Sequence, residues 1–475
     1  MSDKQKELLV STANSFRWKL GENFHDALVE TIYNSAKSIA DSTVKVAGSS
    51  KATQIEDKID RVITSRLFGF PIMLMILAII FWLTIVGANY PSGMLAEFLV
   101  DYLHPLLKNF GVFIGLPAWL NGLIFDGAYL ALAWVISVML PPMAIFFPIF
   151  TLLEDLGYLP RVAFNMDSLY RRAGAHGKQA LTMSMGFGCN AAGVIAARII
   201  DSPRERLIAI ITNNFSLCNG RWPTQILIAT IFIGGAVPAH FAGLVSAAAV
   251  VGVAVLGIAF SLIVSLMLSK TVLKGQATSF SLELPPYRPP HIGQILYKSL
   301  IERTLMVLWR AIVFAAPAGL VIWTVANVHI SGISLAEHFI NWANPFGFLI
   351  GLNGVILLAY IIAIPANEIV IPTILMLTVL VTGNPEAGAG AGVMFEMESI
   401  KGTGELLQAG GWTIITGVCI MLFSLLHNPC STTIYTIYKE TGSIKWTTIA
   451  TFLPVLMGII LCFITAGVLR MLGVS

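Results

Sequence analysis

Charge is scarce in this chain. Asp, Glu, Lys and Arg make up 12% of its 475 residues, against about 25% in an ordinary soluble protein, while hydrophobic residues reach 56%. That balance excludes a water-soluble fold. There is no run of Lys and Arg, and the formal net charge is only +3, which excludes a nucleic-acid partner. The five cysteines, at 189, 218, 419, 430 and 462, lie in or beside apolar segments, which excludes a secreted disulfide framework and predicts reduced thiols. The first 65 residues lack the apolar core of a signal peptide. Enzyme signatures are also missing. Gly174 to Lys178 is followed by Gln179 where a phosphate-binding loop needs Ser or Thr, and neither a His-Glu-x-x-His helix nor a Ser, His and Asp constellation is present. What remains is an all-α, polytopic protein of the lipid bilayer that moves a small solute rather than catalysing a reaction in water.

Residues 1–66 read as a cytosolic segment of one or two amphipathic helices, with Phe16, Trp18, Phe24, Leu28, Ile32 and Tyr33 among polar residues. They either pack on the membrane part or a partner, or form a solvated linker. The first span runs from Phe68 to Ala88, behind Arg61 and Arg66. Residues 92–110 are amphipathic and read as an interfacial segment. Ile124 to Leu153 is interrupted by Pro141 and Pro142 and reads as a kinked or broken helix. The stretch between Lys178 and Arg198 is bounded by basic residues on both sides, so it reads as a re-entrant hairpin, with Gly186, Gly188 and Gly193 supplying the freedom to turn. Further apolar runs cover 207–234, 240–268, 304–327, 346–382, 411–427 and 447–469. The run at 346–382 breaks at Pro365. The connection 269–303 is basic and 328–345 holds no Lys or Arg, which puts them on opposite sides of the membrane. One interrupted region in each half, 67–280 and 281–475, points to two gate-type inverted repeats with discontinuous helices.

Three thiols sit beside amides or glycine in apolar context: Cys189 with Asn190, Cys218 with Asn219, and Cys430 after Asn428-Pro429. Thiolate with amide oxygen suits a borderline divalent ion, whereas cysteine is otherwise a small apolar packing residue, as Cys419 and Cys462 among aliphatics are expected to be. Glu368 interrupts an apolar run, and a carboxylate at membrane depth marks an ion path or a gate. Glu154 and Asp155 either draw an ion in at the cytoplasmic mouth or cap the following turn. Met166, Met183 and Met185 read as packing, and His176 as a cytoplasmic loop residue.

The ordered set Leu153-Glu-Asp-Leu-Gly-Tyr158 with Arg161, Met166-Asp167, Gly186-Phe-Gly-Cys-Asn190, Arg204-Glu-Arg-Leu207, Glu283-Leu-Pro-Pro-Tyr-Arg288, Pro429-Cys430 and Glu440-Thr-Gly442 resembles the ferrous iron transport protein B family. The resemblance runs from about Ile59 to the C-terminus and covers that family's membrane part with its gate repeats. It implies uptake of Fe²⁺ (or Zn²⁺, Mn²⁺ or Co²⁺) across a bacterial cytoplasmic membrane, with the N-terminus cytosolic and no permanently bound cofactor. On this expectation the ion meets Cys189, Cys218 and Cys430, with Asn190, Asn219 and Glu368 as oxygen ligands or gate and Gly186 and Gly188 at the moving hairpin. Members of the family usually begin with a GTP-binding domain and a helical regulatory domain. Residues 1–66 leave room only for a remnant of the latter, so the expected protein is a transporter without its own GTPase, served by a separate small G protein or accessory subunit, or forming a homo-oligomer. The chain departs from the family at Asn219-Gly-Arg-Trp-Pro223, and at Pro365-Ala-Asn-Glu368, where a Lys commonly precedes the Glu. Transport of nucleosides or another organic solute is the rival expectation. A non-transporting sensor or assembly subunit is the other.

Overall fold

The computed structural model describes residues 24–43, 51–65, 67–274, 287, 290–383, 393–397 and 399–473. Phe16, Trp18 and the 283–288 motif apart from Tyr287 lie outside them. The fold is helical. Six helices are long and apolar enough to cross a membrane: Gly69–Phe113, Ala118–Asp155, His240–Lys270, Ile292–Asn327, Ile414–Thr441 and Ile444–Met471. The most apolar window of Gly69–Phe113 is only 19% buried and that of Ile414–Thr441 is 72% buried, so the first faces lipid at the rim and the second runs through the centre. The described strands are His329–Ile330 and Ile333–Ser334, an antiparallel pair. They close around Ser331 and Gly332, both at positive φ, as a tight two-residue hairpin requires.

Two expectations about helix continuity are corrected. Residues 92–110 do not form a separate interfacial segment, because the helix runs on from Gly69 to Phe113. Their polar side chains serve the protein interior instead. His104 Nε2 lies 2.9 Å and Lys108 Nζ 2.7 Å from the carboxylate of Asp126, which is buried on the next helix. Nor do Pro141 and Pro142 break their span, since Leu130–Asp155 stays helical through both and through Pro148. A proline frees only the carbonyls of the preceding turn, and neighbouring helices supply the packing that holds such a turn in place. Here Gly69–Ala96 and Met306–Asn327 pack along it.

Elsewhere among the described residues, four interruptions are pronounced. Gln179–Gly188 and Asn190–Ala196 flank Cys189, which is extended at φ −150° and ψ 121°. Pro203–Thr212 and Trp222–Ile228 flank a stretch in which Cys218 is extended at φ −73° and ψ 165°. Gly354–Ile362 and Val370–Thr382 flank Ala366, at φ −151° and ψ 120°. Ile414–Leu426 and Ser431–Thr441 flank Cys430, at φ −63° and ψ 158°. Cys189 therefore matches Ala366 and Cys218 matches Cys430, to within about ten degrees. The apolar run 207–234 is accordingly two half-helices rather than a plain span, and the run 411–427 is the first of two, the second following Cys430. The second half carries one further bend, of 110°, between Leu335–Leu349 and Gly354–Ile362.

The glycines of the first hairpin do not act as turn residues, since none of Gly186, Gly188 and Gly193 has positive φ. They permit close approach. A Cβ on Gly188 would fall inside the Phe146 ring, and one on Gly186 or Gly193 would strike the Asn213 side chain.

The N-terminal segment divides in two. On helix Phe24–Thr43, Ile32, Tyr33 and Ile39 are exposed. Helix Lys51–Ile63 is docked: Asp60 accepts from Arg161 Nε at 3.0 Å and Nη2 at 2.9 Å and from Tyr287 Oη at 2.7 Å, while the Tyr287 ring lies 4.1 Å beneath the guanidinium.

Candidate ion path

All four interruptions end at one small cavity. Its lining includes Gly188, Cys189 and Asn190 from the first, Cys218, Asn219 and Gly220 from the second, Pro365 to Glu368 from the third, and Cys430, Thr432 and Thr433 from the fourth. Its volume of 30 Å³ leaves room for about two water molecules. A 440 Å³ chamber adjoins it through the shared residues Asn219, Gly220 and Glu368, and is walled by Asn89, Trp222, Thr230 and Glu396. A third chamber, of 860 Å³, shares Val307 with the small cavity and is lined by Met185, Glu154, Arg198, Arg303, Arg310 and Glu440. That last chamber opens at the end of the molecule where Arg198 pairs with Glu440 at 2.6 Å, Arg303 with Glu154 at 2.9 Å and Lys178 with Asp201 at 3.0 Å.

The sequence-predicted residues thus divide. Cys189, Cys218, Cys430, Asn190, Asn219, Glu368 and Gly188 come together at the small cavity. Glu154 lines the large chamber but is engaged by Arg303. Asp155 is exposed and lines none of the three, and Gly186 packs on Asn213 and Ser216 instead. Cys419 and Cys462 lie away from the path as packing residues, the Cys462 thiol donating to the Cys419 carbonyl at 3.3 Å. Met183 accepts from Tyr170 Oη in the core, and His176 is buried rather than loosely exposed in its loop. Among the described residues no three of His, Cys, Asp and Glu stand close enough together to hold a metal ion. The cavity gathers thiols and a carboxylate without building a closed cage.

Two of the three amides serve as bolts. With its side-chain nitrogen turned to satisfy its neighbours, Asn190 donates to the carbonyls of Gly186 at 2.8 Å and Ser216 at 3.3 Å, tying the first interruption to the second. Asn367, which corresponds to it in the second half, lies 3.1 Å from His427 Nε2 and donates to Cys218 Sγ at 3.7 Å.

The sequence reading missed three buried groups here. His427 is fixed by the Ser424 carbonyl and Asn367. Arg221 is 1% exposed and donates to the carbonyls of Asn214, Leu425, His427 and Asn428. Thr432 lines the small cavity. The signal available for His427 and Arg221 was an ionisable residue in a long apolar run. Thr432 offered none.

Comparison with known proteins agrees with this architecture. A gate family described as "Nucleoside recognition" matches residues 136–233, and the family "Ferrous iron transport protein B C terminus" matches residues 250–301. The Fe(2+) transporter FeoB of Staphylococcus aureus (strain MSSA476) is 30% identical over 411 residues, which is 86% of this chain and 58% of that protein. The one from Campylobacter jejuni is 27% identical over 407 residues, covering 82% and 61%. A Porphyromonas gingivalis protein named "Fe(2+) transport protein A/Fe(2+) transporter FeoB fusion protein" is 28% identical over 435 residues, covering 82% and 49%. The chain thus spans little more than half the length of these relatives. No solved structure matches it. Over the region these relatives share with it, this multi-pass membrane chain is similar to the ferrous iron transport protein B family.

Proposed function

We propose that the chain conducts a divalent transition-metal ion, Fe²⁺ foremost, across a bacterial cytoplasmic membrane, and that the small cavity is where the ion is held in transit. The observation that carries this is the meeting of three thiols and Glu368 at four helix breaks between two larger chambers. Thiolate ligands favour the later, softer metals over Mg²⁺ and Ca²⁺, and an open donor set releases what it binds, as conduction requires. The basic end of the bundle, with Arg171, Lys178, Arg198, Arg303 and Lys439, is cytoplasmic by the distribution of positive charge. The N-terminal helix docked there lies in the cytosol with it. Ions then enter by the 440 Å³ chamber, pass Glu368 and the thiols, and leave by the 860 Å³ chamber. The two larger chambers fall within the roughly 300–1,000 Å³ that small organic molecules occupy, but the meeting point between them measures 30 Å³, which favours an ion over a nucleoside as the species that passes. The fusion relative supports an accessory subunit as partner.

The test is uptake of Fe²⁺, Zn²⁺, Mn²⁺ and Co²⁺ into proteoliposomes, with and without GTP and a candidate G protein. A Cys189→Ser, Cys218→Ser double variant is expected to abolish uptake. Undiminished uptake by that variant overturns the site.

A further inference from the structure

We infer that the hydroxyl of Thr432 is a ligand to the ion in the small cavity, an inference that rests on the proposed function. Thr432 is 3% exposed and lines the cavity, yet its Oγ1 has no hydrogen-bond partner among the described residues. Such an orphan is costly, roughly 1–3 kcal/mol in a buried place, unless something absent from the protein itself completes it. The local reason is plain. Thr436 and Thr441 on the same helix direct their hydroxyls to the carbonyls four residues back, on Thr432 and Ile437. Thr432 stands in the first turn of Ser431–Thr441, so the residue four back, Asn428, precedes the helix. Its neighbour Thr433 has a partner, since Oγ1 lies 3.2 Å from Cys430 Sγ.

The donor count leads to the same atom. No three of His, Cys, Asp and Glu cluster among the described residues, so the ion's shell must be completed by other donors. Asn367 is committed through both ends of its amide, to His427 and Cys218, while Asn190 is fixed through its nitrogen to Gly186 and Ser216, which leaves its oxygen as a further donor beside the Thr432 hydroxyl. Asn219 and Glu368 stand on the side facing the 440 Å³ chamber. In a space of 30 Å³ the Thr432 hydroxyl is an uncommitted oxygen lining the same walls as Cys189 and Cys430. A neutral hydroxyl adds a ligand without adding charge, which keeps the ion exchangeable.

Thr432→Val keeps the shape and removes the oxygen, and Thr432→Ser keeps the oxygen. Both are to be compared with the wild type for Co²⁺ binding, followed by the metal's visible absorption, and for Fe²⁺ uptake, with thermal unfolding in detergent as the fold control. Thr432→Val is expected to weaken Co²⁺ binding and raise the KM for Fe²⁺ roughly tenfold or more and to alter the Co²⁺ spectrum. Thr432→Ser is expected to stay near wild type. Unchanged binding in Thr432→Val overturns the inference while leaving the transport reading standing, and so does equal damage in both variants accompanied by a lowered unfolding temperature. A wild-type protein that neither binds Co²⁺ nor takes up Fe²⁺ would instead sink the transport reading itself.

Discussion

Arg221 of the first half donates from Nη1 to the carbonyl of Leu425 in the second half, at 2.9 Å. Leu425 lies in the last turn of helix Ile414–Leu426, where the last carbonyls lack helical partners and carry the negative end of the helix dipole. Arg221 reaches three more carbonyls, of Asn214, His427 and Asn428, so one cation satisfies the interruptions on both sides of the cavity. Arg221→Ala should destabilise the fold by at least about 2 kcal/mol, because several carbonyls in an apolar interior lose their donors together. Denaturant or thermal unfolding in micelles would measure it. An unchanged unfolding midpoint would show that water or another side chain replaces the guanidinium.

Gly188 and Phe146 make a steric pair. A methyl group at 188 overlaps the ring, so Gly188→Ala should reduce uptake at least tenfold by displacing Cys189. Adding Phe146→Ala, which empties the overlapped space, should restore a measurable part of it. If the double variant is as inactive as the single one, the clash is not the cause.

The docking of helix Lys51–Ile63 should depend on pH. Burial works against the Asp60 carboxylate, but hydrogen bonds from Arg161 and Tyr287 outweigh it and hold its pKa below the ordinary carboxyl range. Burial also pushes the Tyr287 hydroxyl up to about 12, keeping it a donor at neutral pH. A depressed carboxyl pKa means that the contact is fully present above about pH 4 and is lost as the pH falls through the depressed value. Hydrogen exchange across 51–63, corrected for intrinsic rates, should show protection at pH 7 that Asp60→Asn removes. Equal protection in the variant would assign the docking to apolar contacts alone.

The cysteines should separate into two groups. Cys419→Ala with Cys462→Ala removes thiols that touch each other and no chamber, so uptake should stay within about twofold of wild type while stability falls modestly. A collapse of uptake in that pair at unchanged stability would mean that ions travel a different route.

Much of this was legible from residue order. The hairpin around Cys189 announced itself through basic residues at both of its ends, and the break at Pro365 through a carboxylate and an amide inside an aliphatic run. The breaks at Cys218 and Cys430 were half visible, since their polar residues stood out, but hydropathy ran on across Cys218, and the run that stopped at 427 did not announce the second half-helix beyond Cys430. At Pro141 and Pro142 only the broken alternative fell away, because what proline removes from a helix can be supplied by packing that no local pattern records. Arg221 was opaque for a related reason: three of the carbonyls that justify its burial lie more than 200 residues further along. For Thr432, the decisive property is a bond it does not make, and only assembled coordinates reveal that.

The dimensions of the meeting point set a kinetic condition on whatever crosses it. A space of 30 Å³ cannot admit an ion wearing its full coat of water, so on the proposed function each crossing would be a ligand-exchange reaction in which waters leave and side-chain donors take their place. The pace of passage then follows how readily an ion sheds water, apart from how tightly it is finally held. On the proposed function, Mg²⁺, which dehydrates reluctantly, should be slowed by its own hydration shell whatever its final affinity, so the meeting point would act as a clock as well as a binding site.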